Sequence, residues 1–142
     1  MADSALGILG GTFDPIHYGH LELARELCEA LAFSAVRLVP AGDPPHRHVP
    51  VASANHRLAM VELAIAGNPG LEVDAREVLR QGPSYTIETL EELRAEDPPR
   101  ALALIVGADA FLGLPAWHRW RELFDLAHVV VVARPGLSLI HI

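Results

Sequence analysis

Short apolar runs alternate with helix-period segments along the whole chain, and that alternation leaves few folds open. Ala5 to Leu9 is a short run closed by Gly10-Gly11 and reads as a buried strand. Leu21, Ala24, Leu27, Cys28 and Leu31 then fall on one face of a helix. Ala35 to Val39 is a second strand, stopped by Pro40, and Ala41 to Ala52, rich in Pro and His, is a loop. Asn55 stands where it would cap a helix whose buried face holds Leu58, Val61 and Ile65. Leu71 to Val73 is a third, weaker strand, and Ile87, Leu90 and Leu93 mark a helix ended by Asp97-Pro98-Pro99. Ala101 to Val106 is the clearest strand. Trp117, Trp120, Leu123 and Phe124 define another helix, and His128 to Ala133 is a fifth strand. Repeated strand–helix units imply right-handed crossovers, hence a parallel sheet of about five strands with helices on both faces. At 142 residues the chain has the length of one domain.

In open parallel sheets, ligands bind beyond the carboxyl ends of the strands, where the winding reverses. The unusual residues lie in the loops that follow strands: Gly10 to His20, Pro40 to Pro50, Arg76 to Thr86, Gly107 to Trp117, and Arg134 onward. Composition narrows the chemistry. All 11 basic residues are Arg, which excludes a Walker A loop and a Schiff-base lysine. A net charge of −7 argues against nucleic acid as partner, because backbone binding draws on clustered positive charge. The single cysteine, Cys28, rules out a disulfide framework or a Cys-based zinc cluster and fits a reducing cytoplasm; it reads as a small core residue. No apolar run approaches the roughly 18–20 residues that span a membrane, and the start of the chain lacks the basic region of a signal peptide.

The first loop reads Gly10-Gly11-Thr12-Phe13-Asp14-Pro15-Ile16-His17-Tyr18-Gly19-His20. Bare glycine backbone lets a phosphate or base approach closely. His17 and His20, three apart at a helix start, point the same way, and the helix N-terminus adds free N–H groups and a positive dipole end. Gly19 leaves room between them. The product is a small cationic cradle for a phosphate. A plain pair of surface or core histidines, or a His/His/Asp metal site with Asp14, are the alternatives. Asp14 either orders the loop or meets the nucleotide.

His17-Tyr18-Gly19-His20 resembles the HxGH signature of the nucleotidylyltransferase superfamily, and the implied fold is α/β, a Rossmann-like doubly wound sheet. The resemblance implies that the histidines are catalytic, stabilising charge on the α-phosphate of a nucleoside triphosphate. It also implies that Gly10, Gly11, Thr12, Phe13, Asp14, Gly19 and His20 bind ATP, with Mg2+ arriving on the phosphates. No residue is assigned to a metal site of the protein's own. In order and spacing, the segments Pro44-Pro45-His46-Arg47, Gly82-Pro83-Ser84-Tyr85-Thr86, Gly107-Ala108-Asp109, Trp117 and Arg134-Pro135-Gly136 look like bacterial nicotinate-nucleotide adenylyltransferases. Such enzymes join nicotinate mononucleotide to the AMP of ATP by direct attack on the α-phosphate, giving deamido-NAD and pyrophosphate. The resemblance places His46, Arg47, Ser84, Tyr85, Thr86, Gly107, Asp109, Trp117 and Arg134 around the acceptor. Trp117 would stack on the pyridine ring, and the Ser84–Thr86 helix start would take its carboxylate.

Blander roles stand beside these. Trp117, like Trp120 and Met60, could be core; Asp109, Ser84 or Thr86 could be only helix caps; His46 and His48 could be loop residues. Arg57 and Arg134 read first as surface charges. The resemblance runs to about Gly136, so residues 1–136 are expected to form an incomplete nucleotidylyltransferase domain and 137–142 a tail outside the family pattern. That tail is apolar with no partner in view, which would leave a strand edge uncovered. Two alternatives follow: a nucleotide-binding chain without catalysis, and a related transferase with another acceptor, pantetheine phosphate or a choline-type phosphate.

Overall fold

A computed structural model describes residues 4–42 and 50–133 and the backbone of 139–141. Five strands run parallel: β1 (Leu6–Gly11), β2 (Ala35–Pro40), β3 (Leu71–Val73), β4 (Leu102–Gly107) and β5 (His128–Val132), in the order β3-β2-β1-β4-β5. Between them run α1 (Tyr18–Ala30), α2 (Ala54–Ile65), a one-turn α3 (Arg76–Leu79), α4 (Thr86–Glu96), a short α5 (Ala108–Leu112), a 3-10 turn (Leu114–Ala116) and α6 (Trp120–Leu126). This is the doubly wound arrangement expected. The winding reverses between β1 and β4, which therefore bound the crevice where a ligand belongs.

The strands are buried on both faces, and period-2 alternation sorts their residues between two cores. Leu6, Ile8, Leu102, Leu104, Val106, Val129 and Val131 meet Ile87, Leu90 and Leu93 of α4 and Leu123 of α6. Leu9, Val36, Leu38, Ala103, Ile105, Val130 and Val132 meet Leu21, Ala24 and Leu27 of α1 and Val61 of α2. Gly7 lies under Phe33: a Cβ there would sit 2.8 Å from the ring and 3.1 Å from a Val36 methyl. Gly7→Ala should therefore lower stability by about 1–3 kcal/mol through overpacking, read as a shifted urea midpoint at unchanged slope.

Three sequence readings are corrected. The cap of α2 is Ser53, whose hydroxyl accepts the His56 N–H at 3.3 Å; Asn55 lies inside the helix. The fully buried residues of α2 are Ala54, Arg57 and Val61; Val61 is as expected, Leu58 and Ile65 are half-buried, and the inward face is turned slightly so that it takes in Arg57. Trp117 precedes α6 rather than sharing its face, because a left-handed residue, Arg119 (φ 52°), breaks the chain direction between them. The tail also differs from expectation. Leu139–His141 forms β6, pairing antiparallel with β5 through Val132↔Leu139, Val131↔Ile140 and Val130↔His141. The open N–H and C=O groups of β5 are a template for any nearby extended segment, and the tail supplies one.

A charge lattice ties β2 and β3 to the helices. Arg37 bridges Glu72 (3.0 Å) and Asp74 (3.4 Å). Arg76 reaches Asp74 (2.9 Å), Glu92 (3.3 Å) and Glu96 (2.9 Å), and Arg80 also reaches Glu92 (2.9 Å). The Thr89 hydroxyl donates to Glu77 at 2.7 Å, so α3 and α4 are pinned at the base of the loop they share.

Candidate active site

The site begins where β1 ends. Gly10 is exposed, with space around its Cα, whereas a Cβ on Gly11 would press on the Phe13 ring at 3.2 Å. Phe13 then takes a left-handed conformation (φ 51°), a strained one for a bulky residue, and buries its ring beneath the loop. Any contact it makes with a ligand is therefore through backbone. The Asp14 carboxylate accepts the N–H groups of Val51 (2.6 Å) and Ala52 (3.0 Å), so it orders the loop against the start of α2.

His17 is the N-cap of α1, with extended backbone (φ −144°, ψ 176°). Its Nδ1 accepts the Gly19 N–H at 3.1 Å, while its own N–H donates to His20 Nδ1 at 3.1 Å. The two form a capping box in which imidazoles replace the usual hydroxyl and carboxylate. That geometry selects the tautomer. A neutral ring accepting at Nδ1 carries its proton on Nε2, so both histidines present an Nε2–H donor away from the helix backbone. The rings stack at 3.7 Å between centroids, 26° apart, and Phe13 supports His20 edge-on at 5.0 Å. A Cβ on Gly19 would lie 2.9 Å from His17 Cε1, which is why glycine stands between them.

Burial first, and the neighbouring His17 second, hold the His20 imidazole below its ordinary pKa. Its neutral form therefore persists to lower pH in the folded chain than in the unfolded one. Between the two values the unfolded state binds more protons, so this group's contribution to stability rises with pH through a window below about 6.5 and is lost on acidification. An NMR titration should place the His20 midpoint below 6.5, and His17→Ala should raise it part of the way, since burial remains.

The facing wall comes from β4 and the segments packed beside it. Gly107 closes β4 with open space at its Cα, and Asp109 is exposed in the following turn. Trp117 ends the 3-10 turn, half-buried against the core. Ser84 Oγ is buried with no hydrogen-bond partner, just before α4. Tyr85 is the N-cap of α4 and makes no side-chain cap bond, and Thr86 is the first helical residue. The first-turn N–H groups of α4 and the Ser84 hydroxyl are thus an anion-ready end without a protein acceptor of the capping kind. His118 was not singled out in the sequence, yet its ring lies 4.5 Å from that of Tyr85; adjacency to Trp117 was its only signal. Arg119 clamps the same turn, pairing with Glu91 of α4 and Glu122 of α6, both at 2.8 Å.

Arg57, a surface charge on the sequence pattern, is instead fully buried, with 0% of its surface exposed. Its Nε donates to Ala52 O (3.1 Å), and its Nη1 donates to Thr12 O (2.7 Å) and Ala41 O (2.8 Å). His46, Arg47 and Arg134 lie outside the described residues. Among the described residues no three His, Cys, Asp or Glu side chains are grouped to hold a metal ion, and no helix is long and apolar enough to cross a membrane.

Residues 8–142 match the family model for cytidylyltransferase-like domains. A curated relative from Halorhodospira halophila, described as a probable nicotinate-nucleotide adenylyltransferase, is 57% identical over 132 residues, covering 93% of this chain and 61% of the relative. One from Aeromonas hydrophila with the same description is 57% identical over 136 residues, covering 96% of this chain and 64% of the relative. The chain thus spans somewhat under two thirds of the length of the curated relatives it matches. A solved structure of the Plasmodium falciparum nicotinic acid mononucleotide adenylyltransferase, complexed with NaAD, has the same fold: TM-score 0.78 at 16% identity, covering 95% of this chain and 67% of that one.

Proposed function

The chain belongs to the cytidylyltransferase-like family, and from that premise we propose that its site serves the adenylylation of nicotinate mononucleotide by ATP, with release of pyrophosphate. The observation that carries the reading is the imidazole capping box at the β1–β4 crevice, which turns two Nε2–H donors outward from the first turn of α1. In adenylyl transfer an acceptor phosphate oxygen forms a bond to the α-phosphorus as the bridge to the β-phosphate breaks and its electrons leave on pyrophosphate. Charge builds on the α-phosphate oxygens in the transition state. Fixed donors aimed there stabilise it without reorganising. Gly10 and Gly11 let the triphosphate lie against backbone, with Thr12, Phe13, Asp14 and Gly19 shaping the loop. Mg2+ arriving with ATP on its phosphates would offset negative charge there. The one half-buried thiol, Cys28, fits a reducing cytoplasm.

Acceptor choice is read from the facing wall. A flat ring with a carboxylate fits an aromatic face at Trp117 and a helix start with an unpartnered hydroxyl at Ser84, followed by Tyr85 and Thr86. His46, Arg47, Gly107, Asp109 and Arg134 complete the proposed acceptor set. A coupled assay of pyrophosphate release, run with ATP, Mg2+ and either nicotinate mononucleotide, its amide, pantetheine phosphate or choline phosphate, tests this directly. Turnover with the nicotinate compound ahead of the others is expected; turnover with another acceptor alone would overturn it. Binding of both nucleotides without pyrophosphate release would assign the chain to binding without catalysis. Trp117→Ala should raise the acceptor KM about tenfold through lost stacking and leave the ATP KM unchanged.

A further inference from the structure

We propose that Arg57 is a positioning residue of this site, its buried guanidinium setting the conformation of the loop that presents His17 and His20. Three backbone segments converge on one side chain: the exit of β1 at Thr12, the exit of β2 at Ala41, and the approach to α2 at Ala52. Each offers a carbonyl, and the planar fork of Arg matches several acceptors at once where a Lys ammonium would act as a point charge.

These bonds act together with a second tether. Asp14 binds the N–H groups of Val51 and Ala52 from the loop side, and Arg57 binds the carbonyls of Ala52 and Thr12 from the helix side. The two tethers close a ring around the left-handed turn at Phe13, whose ring in turn supports His20. Release of Thr12 would free that turn, and the histidine pair with it. The inference rests on the adenylyltransfer reading for its purpose, though not for its geometry.

The test compares Arg57→Lys and Arg57→Met with the unsubstituted chain by amide hydrogen exchange. The His17 and Gly19 amides, held by the two imidazole nitrogens, should exchange about tenfold faster in both variants, while amides of β1 and β4 keep their protection. Equal acceleration across the sheet, or none at the histidines, would overturn the proposal in favour of a structural role. If neither variant folds, exchange in the unsubstituted chain under mild denaturant decides. The Arg57 Nε–H and the His17 and Gly19 amides must open in one event, and independent opening overturns the proposal. Titration of ATP on the same samples judges adenylyltransfer separately: no ATP binding by the unsubstituted chain would remove that reading, whereas the exchange pattern alone decides Arg57.

Discussion

Replacing His17 by alanine should lower the rate of pyrophosphate release by about 10²–10³-fold, the usual effect of removing a preorganised transition-state donor. Three losses are coupled in this substitution. One Nε2–H donor disappears, and with it the Nδ1 acceptor that holds the Gly19 N–H and the stacking partner of His20. The fold should survive, because a lost N-cap costs only about 0.5–2 kcal/mol and α1 keeps Leu21, Ala24 and Leu27 in the core. Stopped assays of pyrophosphate, with a melting curve on the same sample, separate the two effects. A rate within about tenfold of the unsubstituted chain would show that the imidazole is only a helix cap.

Gly19→Ala should give the opposite signature in stability and the same sign in rate. The new Cβ would need to occupy space 2.9 Å from His17 Cε1 and 3.0 Å from Nδ1, so the ring must turn away from its cap position. A displacement of about an ångström in a catalytic group costs on the order of 10²-fold in rate. Alanine is nevertheless the better helix former by roughly 0.8–1 kcal/mol, which offsets the weakened cap. Turnover should therefore collapse while the melting temperature stays level or rises. Parallel loss of both would mean that Gly19 serves the fold of α1 rather than the setting of His17.

The sheet was legible because parallel strands buried on both faces write themselves as unbroken apolar runs, and Leu102–Gly107 and His128–Val132 do so plainly. The histidine pair was legible because residues three apart at a helix start must share a side. Other features carried no such signature. Nothing in the run Ala54-Asn55-His56-Arg57 shows that its cation faces inward, because two of the carbonyls that receive it, those of Thr12 and Ala41, come from distant points in the chain. Tyr85 and His118 likewise meet only through the packing of α4 beside the 3-10 turn. The edge pairing of Leu139–His141 escaped for a related reason: a three-residue strand has too little pattern to read, and its register is dictated by β5.

The lattice of charges around β3 has an asymmetric weakness. Every cation in it is a guanidinium, which does not give up its proton at any pH a protein survives. Alkali therefore leaves these bridges alone. Acid does not: burial pushes the Asp74 carboxyl up, but bonding to Arg76 and the charges of Arg76 and Arg37 more than reverse this, leaving it below the usual carboxylate range. Its stabilising share is complete above the unfolded value and drains away as pH falls through the folded one. Glu77, raised mainly by burial, works the other way in mildly acidic solution. Sheet-to-helix fastening in this molecule is thus vulnerable from one direction, and souring the medium should unhook α3 before base ever troubles it.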